Sequence, residues 1–306
     1  MCATTKYDDR NIPALAKRWL TVYDAAPKIN VPGTNLSLSL ILASAMFLLC
    51  FRLVAEAFLV AVFNWPEGHD STKMAAASMG SICHSLPLLG GLITALKYCV
   101  KYSPSERLDA APLWWQHFAD AILQFCTGYM LYDAIYNVYL FRIQPGDWVP
   151  TFGLDDYLFL FHHLATSLYM TSARVVKAGY MSAMMCMLLG EITNPVHNSF
   201  FIADYAMGLD CCNGEFAQKL YSVIEVAFAA SYFFMRVVVA PIGLGHVTYD
   251  LVRNGRKKIP LGLNISWNFL IWAVIFGSYF EIAKCYNILN KAFASQYAGD
   301  GEEAEL

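Results

Sequence analysis

Seven runs of apolar residues, each long enough to cross a membrane, constrain this chain more than any other feature of its sequence. About 20 apolar residues span a hydrocarbon core, because a helix rises about 1.5 Å per residue. Each run must satisfy its own backbone hydrogen bonds in lipid, so we predict an all-α integral membrane protein, a bundle of about seven transmembrane helices around a central cavity. The runs cover residues 37–63, 73–96, 114–140, 156–173, 179–203, 216–240 and 264–286.

The sequence shows no internal repeat and no linker that would separate two domains. We predict an N-terminal arm (1–35), one transmembrane domain (36–288) and an acidic C-terminal tail (289–306). In the arm, Leu15, Trp19 and Leu20 stand beside Lys17 and Arg18, a pattern that suggests a short amphipathic helix on the membrane surface. The arm lacks the apolar core and cleavage site of a signal peptide. A poorly ordered arm is the alternative.

Basic residues are distributed unevenly between the loops. The N-terminal arm and the even-numbered gaps between runs carry fourteen Lys and Arg residues, whereas the opposite side carries five. Because cytosolic loops are rich in Lys and Arg, the distribution predicts a cytosolic N-terminus.

Several ionisable side chains fall inside the apolar runs, where each costs about 2.5–3.5 kcal/mol unless it has a partner or a hydrated cavity. Arg52 and Glu56 stand at i, i+4 and are expected to pair. Asp120 and Arg236 lie near predicted cytosolic helix ends and are expected to reach the interface. The remaining polar groups fall at similar depths in six predicted helices, which suggests a shared polar chamber. They are His84, Asp133, His162, Glu191, Asn194, Glu225 and Glu281.

Local spacing refines this chamber. Adjacent residues of a helix point about 100° apart, so we predict that one of His162 and His163 faces the chamber while the other joins its helix to a neighbour. His162 and Thr166 share one helix face, as do Tyr129 and Asp133.

A second polar face surrounds a proline. Glu191, Asn194 and Asn198 stand at i, i+3 and i+7, and Pro195 leaves the carbonyl of Glu191 without its helical donor. We predict that the residues in contact with a ligand are His84, Tyr129, Thr166, Glu191, Asn194, Asn198 and Glu225.

Several chemistries do not fit the sequence. The seven histidines show neither the clustered boxes of membrane di-iron enzymes nor HExxH, so no metal site is predicted. GxSxG and a phosphate-cradling glycine loop are absent. We predict no bound cofactor and no nucleic-acid partner.

Five short motifs, in this order and spacing, resemble the TLC-domain family, which includes the ceramide synthases. They are ICHSLPLL around His84, GYMLYD at 128–133, FHHLATSLY at 161–169, GEITNPVHN at 190–198 and FFMRVVVAP at 233–241. The resemblance implies a helical bundle around a cavity that admits an acyl chain, and location in the endoplasmic reticulum. It also implies catalytic roles for His162 and His163, with Asp133 orienting an imidazole.

In the ceramide synthases, paired histidines serve transfer of an acyl group from its coenzyme A thioester to a sphingoid amine. Those enzymes follow the histidines with paired aspartates, whereas GEITNPVHN supplies a single acid, Glu191. The sequence is therefore more similar to the other branches of the family.

The leading hypothesis is a membrane protein of lipid metabolism or homeostasis that binds an acyl lipid in an intramembrane cavity. A more specific version of this hypothesis is that the protein transfers an acyl group from acyl-CoA. Two alternatives stay open: a non-catalytic lipid-binding regulator of membrane composition, and a lipid transporter. The sequence also leaves open whether the chain forms a homo-oligomer.

Overall fold

The computed structural model describes residue 7 and residues 11–34, 36–143, 149–210 and 214–303, apart from the side chains of 155 and 295–303. Parts of the predicted N-terminal arm and C-terminal tail therefore lie outside the described residues. Over these ranges the chain is helical, and its β-structure is limited to two isolated bridges. The α-helices are α1 (Ala14–Ala25), α2 (Ser39–Phe63), α3 (Asp70–Tyr98), α4 (Leu113–Tyr132), α5 (Leu154–Val176), α6 (Tyr180–Glu191), α7 (Asn194–Met207), α8 (Glu215–Phe234), α9 (Ala240–Arg253), α10 (Leu261–Gly277) and α11 (Tyr279–Glu303).

Four helical stretches of the described chain are long and apolar enough to cross a membrane: Ser39–Phe63, Asp70–Tyr98, Glu215–Arg253 and Leu261–Ala294. Many large apolar side chains also lie exposed on the outside, such as Val54 (67%) and Phe276 (71%). These features support the prediction of an all-α membrane protein. The count of about seven spans stays a prediction.

Two of the predicted runs differ from the observed helices. The run at 179–203 is divided into α6 and α7, because Pro195 has no amide hydrogen to continue the helical ladder. The run at 216–240 continues beyond its predicted end through a π-helical segment, Met235–Val239, into α9. Pro241 does not interrupt that helix because it stands in the first turn of α9, where a missing amide hydrogen is tolerated.

The helix predicted in the N-terminal arm is present, but it packs against the bundle. Leu20 of α1 is 3% exposed, and Trp19 meets Phe118 and Phe125 of α4 edge-on. The apolar face of this helix is therefore buried against α4, and its position on the membrane surface stays a prediction.

Asp120 of α4 has a protein partner that the sequence did not predict, and its reach to the interface stays a prediction. Nε of Arg174 in α5 donates to its carboxylate at 2.7 Å, and Nη2 of Arg174 donates to the carbonyl of Ser37 at 2.5 Å. The hydroxyl of Tyr23 donates to the same carboxylate at 3.1 Å. Burial and the charge of Asp120 raise the pKa of Tyr23, which lies outside the spans. This network joins α1, α4 and α5.

Helices α2 and α4 pack closely at Gly128. A Cβ atom there would overlap the hydroxyl of Ser44 and the backbone carbonyl of Ile41. Small residues commonly permit such close packing between membrane helices. Gly128 therefore sets the separation of α2 from α4, the helix that leads into Asp133.

Replacing Gly128 with alanine is expected to destabilise the fold by about 1–3 kcal/mol, because backbone atoms of α2 must move to admit the methyl group. Equilibrium unfolding in mixed micelles measures the loss. Gly245→Ala is the matched control, since a Cβ at Gly245 in α9 meets nothing within 4 Å. Equal effects of the two substitutions would contradict the predicted constraint.

Candidate functional site

The two adjacent histidines of α5 point to different surroundings, as their helical spacing predicts. His162 lines a cavity enclosed mainly by α5, α6, α9 and α10. The side chain of His163 is 4% exposed, and its Nε2 lies 2.9 Å from Oδ2 of Asp133. The chain therefore presents one imidazole to the cavity and uses the other to connect α5 to the segment after α4.

Both ring nitrogens of His163 face oxygen atoms. Nδ1 lies 2.7 Å from the backbone carbonyl of Phe159, and Nε2 faces the carboxyl of Asp133. When Nδ1 carries a proton and donates to that carbonyl, the 2.9 Å contact of Nε2 with the Asp133 carboxyl is an ion pair only if Nε2 carries a second proton. The amide of Asn137 donates to the other oxygen of Asp133 at 2.6 Å. His163 and Asp133 thus form a buried pair. The remaining nitrogen of His163 contacts Phe159, and the remaining oxygen of Asp133 contacts Asn137.

His84 and Tyr129 lie beside this pair in the core, outside the cavity lining. Their rings stack with centroids 3.9 Å apart, and Tyr129 lies 6.3 Å from His163 between ring centroids. The Tyr129 hydroxyl donates to Ser81 at 3.0 Å. His84 is fully buried, and among the described residues neither of its ring nitrogens has a hydrogen-bond partner. Their predicted contact with a ligand stays a prediction.

The cavity has a volume of about 120 Å³ and a lining that is partly polar and partly apolar. Its main polar groups, here called the polar wall, come from four elements of the bundle: they are His162, Thr166, Glu191, Asn194 and Arg236. The same lining includes apolar side chains such as Met170 of α5, Leu244 of α9 and Ile271 of α10. A ligand with a polar end and an apolar continuation matches this arrangement.

The polar wall is built where α6 ends. The amide of Asn194 donates to the Glu191 carboxylate at 2.6 Å, closing the break between α6 and α7. Arg236 donates through Nη2 to the carbonyl of Gly190 at 2.9 Å and lies 3.4 Å from that of Leu189. These carbonyls end α6, where the helix dipole favours a cation. The guanidinium of Arg236 therefore both caps α6 and lines the cavity.

The expectation that Arg236 reaches the interface is wrong, since its guanidinium is turned inward to the end of α6. The sequence analysis did not include Arg236 among the site residues. An arginine within an apolar run is costly unless it has a partner or a hydrated cavity, and this cost could have indicated its role. Arg236 lies in the π-helical segment Met235–Val239, and Asp133 begins a second one, Asp133–Tyr139. Such segments insert an extra residue per turn and are frequent at functional sites.

Three further residues that the sequence placed in the chamber or in contact with a ligand lie outside the cavity lining. The side-chain amide of Asn198 donates to the carbonyl of Asn194 at 2.9 Å. Glu225 of α8 accepts from Tyr221 at 3.5 Å. Glu281 lies 3.9 Å from Nε2 of His197, a separate contact between α7 and α11. The cavity therefore brings together His162, Thr166, Glu191 and Asn194 of the predicted set, with the His163–Asp133 pair behind His162.

Comparisons with known proteins agree with the motifs. The family model described as the TLC domain matches residues 76–280, about two thirds of the chain. A TLC domain-containing protein of Arabidopsis thaliana is 24% identical over 232 residues, which cover 74% of this chain and 81% of that relative. The matched region includes α4 to α10 and every residue named in the cavity wall. The chain belongs to the TLC-domain family.

Proposed function

We propose that this protein binds one end of an acyl lipid in the cavity beside His162. The observation that carries the proposal is a single cavity lined both by the polar wall, from His162 to Arg236, and by apolar side chains of α5, α9 and α10. An apolar cavity of about 150 Å³ is known to hold a benzene-sized molecule, so a cavity of this size accommodates one end of a lipid, not a complete one. The rest of the ligand continues toward the surrounding membrane.

The finer proposal is acyl transfer, with acyl-CoA as co-substrate and His162 as general base. An amine or hydroxyl acceptor would attack the thioester carbonyl carbon, forming a C–N or C–O bond while the C–S bond breaks. His162 takes the acceptor's proton, and the thiolate leaves as the coenzyme A thiol after protonation. Arg236 and Thr166 line the same space and can donate hydrogen bonds to the developing oxyanion.

One observation favours a second function, non-catalytic lipid binding that regulates membrane composition. The Asp133 carboxyl contacts His163, whereas a base at His162 gains efficiency from its own orienting group. In this second function the polar wall recognises a headgroup and leaves the ligand unchanged.

His162→Ala is expected to lower the amount of copurifying lipid at least about tenfold, because the variant lacks a hydrogen-bonding group of the polar wall. Mass spectrometry of the purified protein measures this amount. His246→Ala in α9 is the matched control, since His246 is exposed and outside the cavity lining. Wild-type lipid content in the His162 variant would contradict the proposed site.

Lipid analysis of a null strain separates the two functions. If the protein transfers acyl groups, wild type restores a missing acylated product and His162→Ala does not. If it only binds lipid, purified wild type incubated with acyl-CoA and candidate acceptors yields no new acylated product.

We also propose residence in the endoplasmic reticulum with a cytosolic N-terminus. The family membership and the distribution of basic residues support this placement. An N-terminal epitope should then bind antibody when only the plasma membrane is permeabilised. An epitope that becomes accessible only after the internal membranes are dissolved would contradict the orientation.

A further inference from the structure

A second concave site lies away from the cavity, between the second half of α2, the first turn of α3 and the π-helical segment after α4. This groove has a volume of about 750 Å³. Its charged lining consists of two cations, Arg52 and Lys73, and three acids, Glu56, Glu67 and Asp70. Polar walls of both signs inside an apolar outer surface are costly unless they have partners or a ligand.

Arg52 forms the floor of the groove, and its donors are only partly used. Its side chain is 4% exposed, and Nη1 donates to Glu56 at 3.0 Å, the pairing that the i, i+4 spacing predicts. The guanidinium lies over the ring of Tyr136, 4.7 Å from the centroid. Nη2 makes one long contact, 3.4 Å, with the carbonyl of Lys73, and Nε has no partner among the described residues.

The Nε edge of Arg52 suits a phosphate that takes the place of the long Nη2 contact, because Nε is buried and has no partner among the described residues. Nε and Nη2 project along the same edge of a guanidinium, the edge that binds two oxygens of a phosphate or carboxylate in a bidentate manner. A buried donor left without an acceptor is destabilising, so an acceptor bound at this edge stabilises the site. Lys73 lines the same groove and adds a second positive charge.

The acids favour a ligand that also carries a positive charge. Glu56 already neutralises Arg52, while Glu67 and Asp70 stand at the exposed rim. Three acids against two cations disfavour a purely anionic ligand, whereas a phosphate joined to an ammonium group meets both signs.

The groove also opens onto the apolar outside of the bundle. Leu53 on α2 and Leu140 after the π-helical segment line it and are 48% and 47% exposed. Met46 of α2, two helical turns before Leu53 and on the same face, extends this apolar surface along the helix. A ligand with attached acyl chains can therefore place its chains on α2 and its headgroup in the groove.

We propose that this groove binds the headgroup of a zwitterionic phospholipid, with the phosphate on the Nε and Nη2 edge of Arg52 and the ammonium group at Glu67 and Asp70. This site is separate from the cavity beside His162, and its lipid is a bound component of the membrane, distinct from the ligand proposed there.

Native mass spectrometry of the full-length protein in detergent tests the proposal. The probes are a phosphatidylcholine, a phosphatidylglycerol with identical chains, and soluble glycerophosphocholine. Wild type is expected to bind phosphatidylcholine at least about tenfold more tightly than either other probe, and Arg52→Gln to lose this binding by a similar factor. Lys219→Gln, at an exposed position of α8 that lines neither site, should leave it unchanged.

Other outcomes overturn the proposal in distinct ways. Equal binding of phosphatidylglycerol removes the argument for a zwitterion, and equal binding of glycerophosphocholine shows a free headgroup site instead of a lipid site. Wild-type binding by Arg52→Gln removes the assigned residue. Should Arg52→Gln fail to fold, the exposed Glu67→Gln and Asp70→Asn variants decide, because an unchanged preference for phosphatidylcholine in both contradicts the assignment.

Discussion

Replacing Arg174 with methionine is expected to lower the free energy of unfolding by about 3–5 kcal/mol, the usual cost of removing one partner from a buried ion pair. The Arg174 side chain is 1% exposed and lies 2.7 Å from Asp120. Without it, Asp120 keeps its charge inside the bundle, and the carbonyl of Ser37 loses a donor. Equilibrium unfolding in mixed micelles measures the change.

A double-mutant cycle with Asp120→Asn provides the control. Because the double variant leaves neither charge alone, it should lose less stability than the sum of the single variants. Additive losses, or a single-variant loss below about 1 kcal/mol, would show that the pair is too hydrated to matter. This comparison requires that wild type and every variant unfold in a single cooperative transition.

The two adjacent histidines are expected to give opposite phenotypes. His163→Ala should cost about 3–5 kcal/mol of stability, because among the described residues it leaves the buried Asp133 with Asn137 alone as a close side-chain partner. His162→Ala should cost about 1 kcal/mol or less, because that half-buried ring faces a cavity. Unfolding measurements and lipid content, taken on the same preparations, separate stability from binding.

Asp133→Ala combined with His163→Ala supplies the matched control. The double variant removes both members of the pair and should recover part of the stability lost in His163→Ala. Equal stability losses for His162→Ala and His163→Ala would contradict the division of roles. So would loss of bound lipid in a His163 variant that unfolds like wild type.

Much of the site could be predicted from local spacing. The i, i+4 relation of His162 and Thr166 places both on the cavity, and Pro195 indicates the break that separates Glu191 from Asn194. These relations hold because they depend only on the geometry of one helix. The depth estimate alone was a weaker guide, since Glu225 and Glu281 share the predicted level but not the cavity.

Arg236 and Asp120 show that the predicted depth of a residue in the membrane does not identify its surroundings. Both stand near predicted helix ends, yet Arg236 contacts the end of α6 and Asp120 pairs with Arg174 of α5. Their environments depend on how each helix is rotated against its neighbours. The π-helical segment around Arg236 adds to this rotation by shifting the register of the residues that follow it.

The length of the apolar runs and the free-energy cost of polar groups in lipid identify an all-α membrane protein. The fixed angle between neighbouring residues of a helix separates the directions of His162 and His163. Both are properties of a single segment, so they can be read along the chain. Only the packing of the helices against one another makes Asp133 the partner of His163, Arg236 a cavity residue and Arg52 the floor of a groove. These contacts join residues far apart in the chain, and helix rotation and tilt decide them through side-chain fit that no local pattern records.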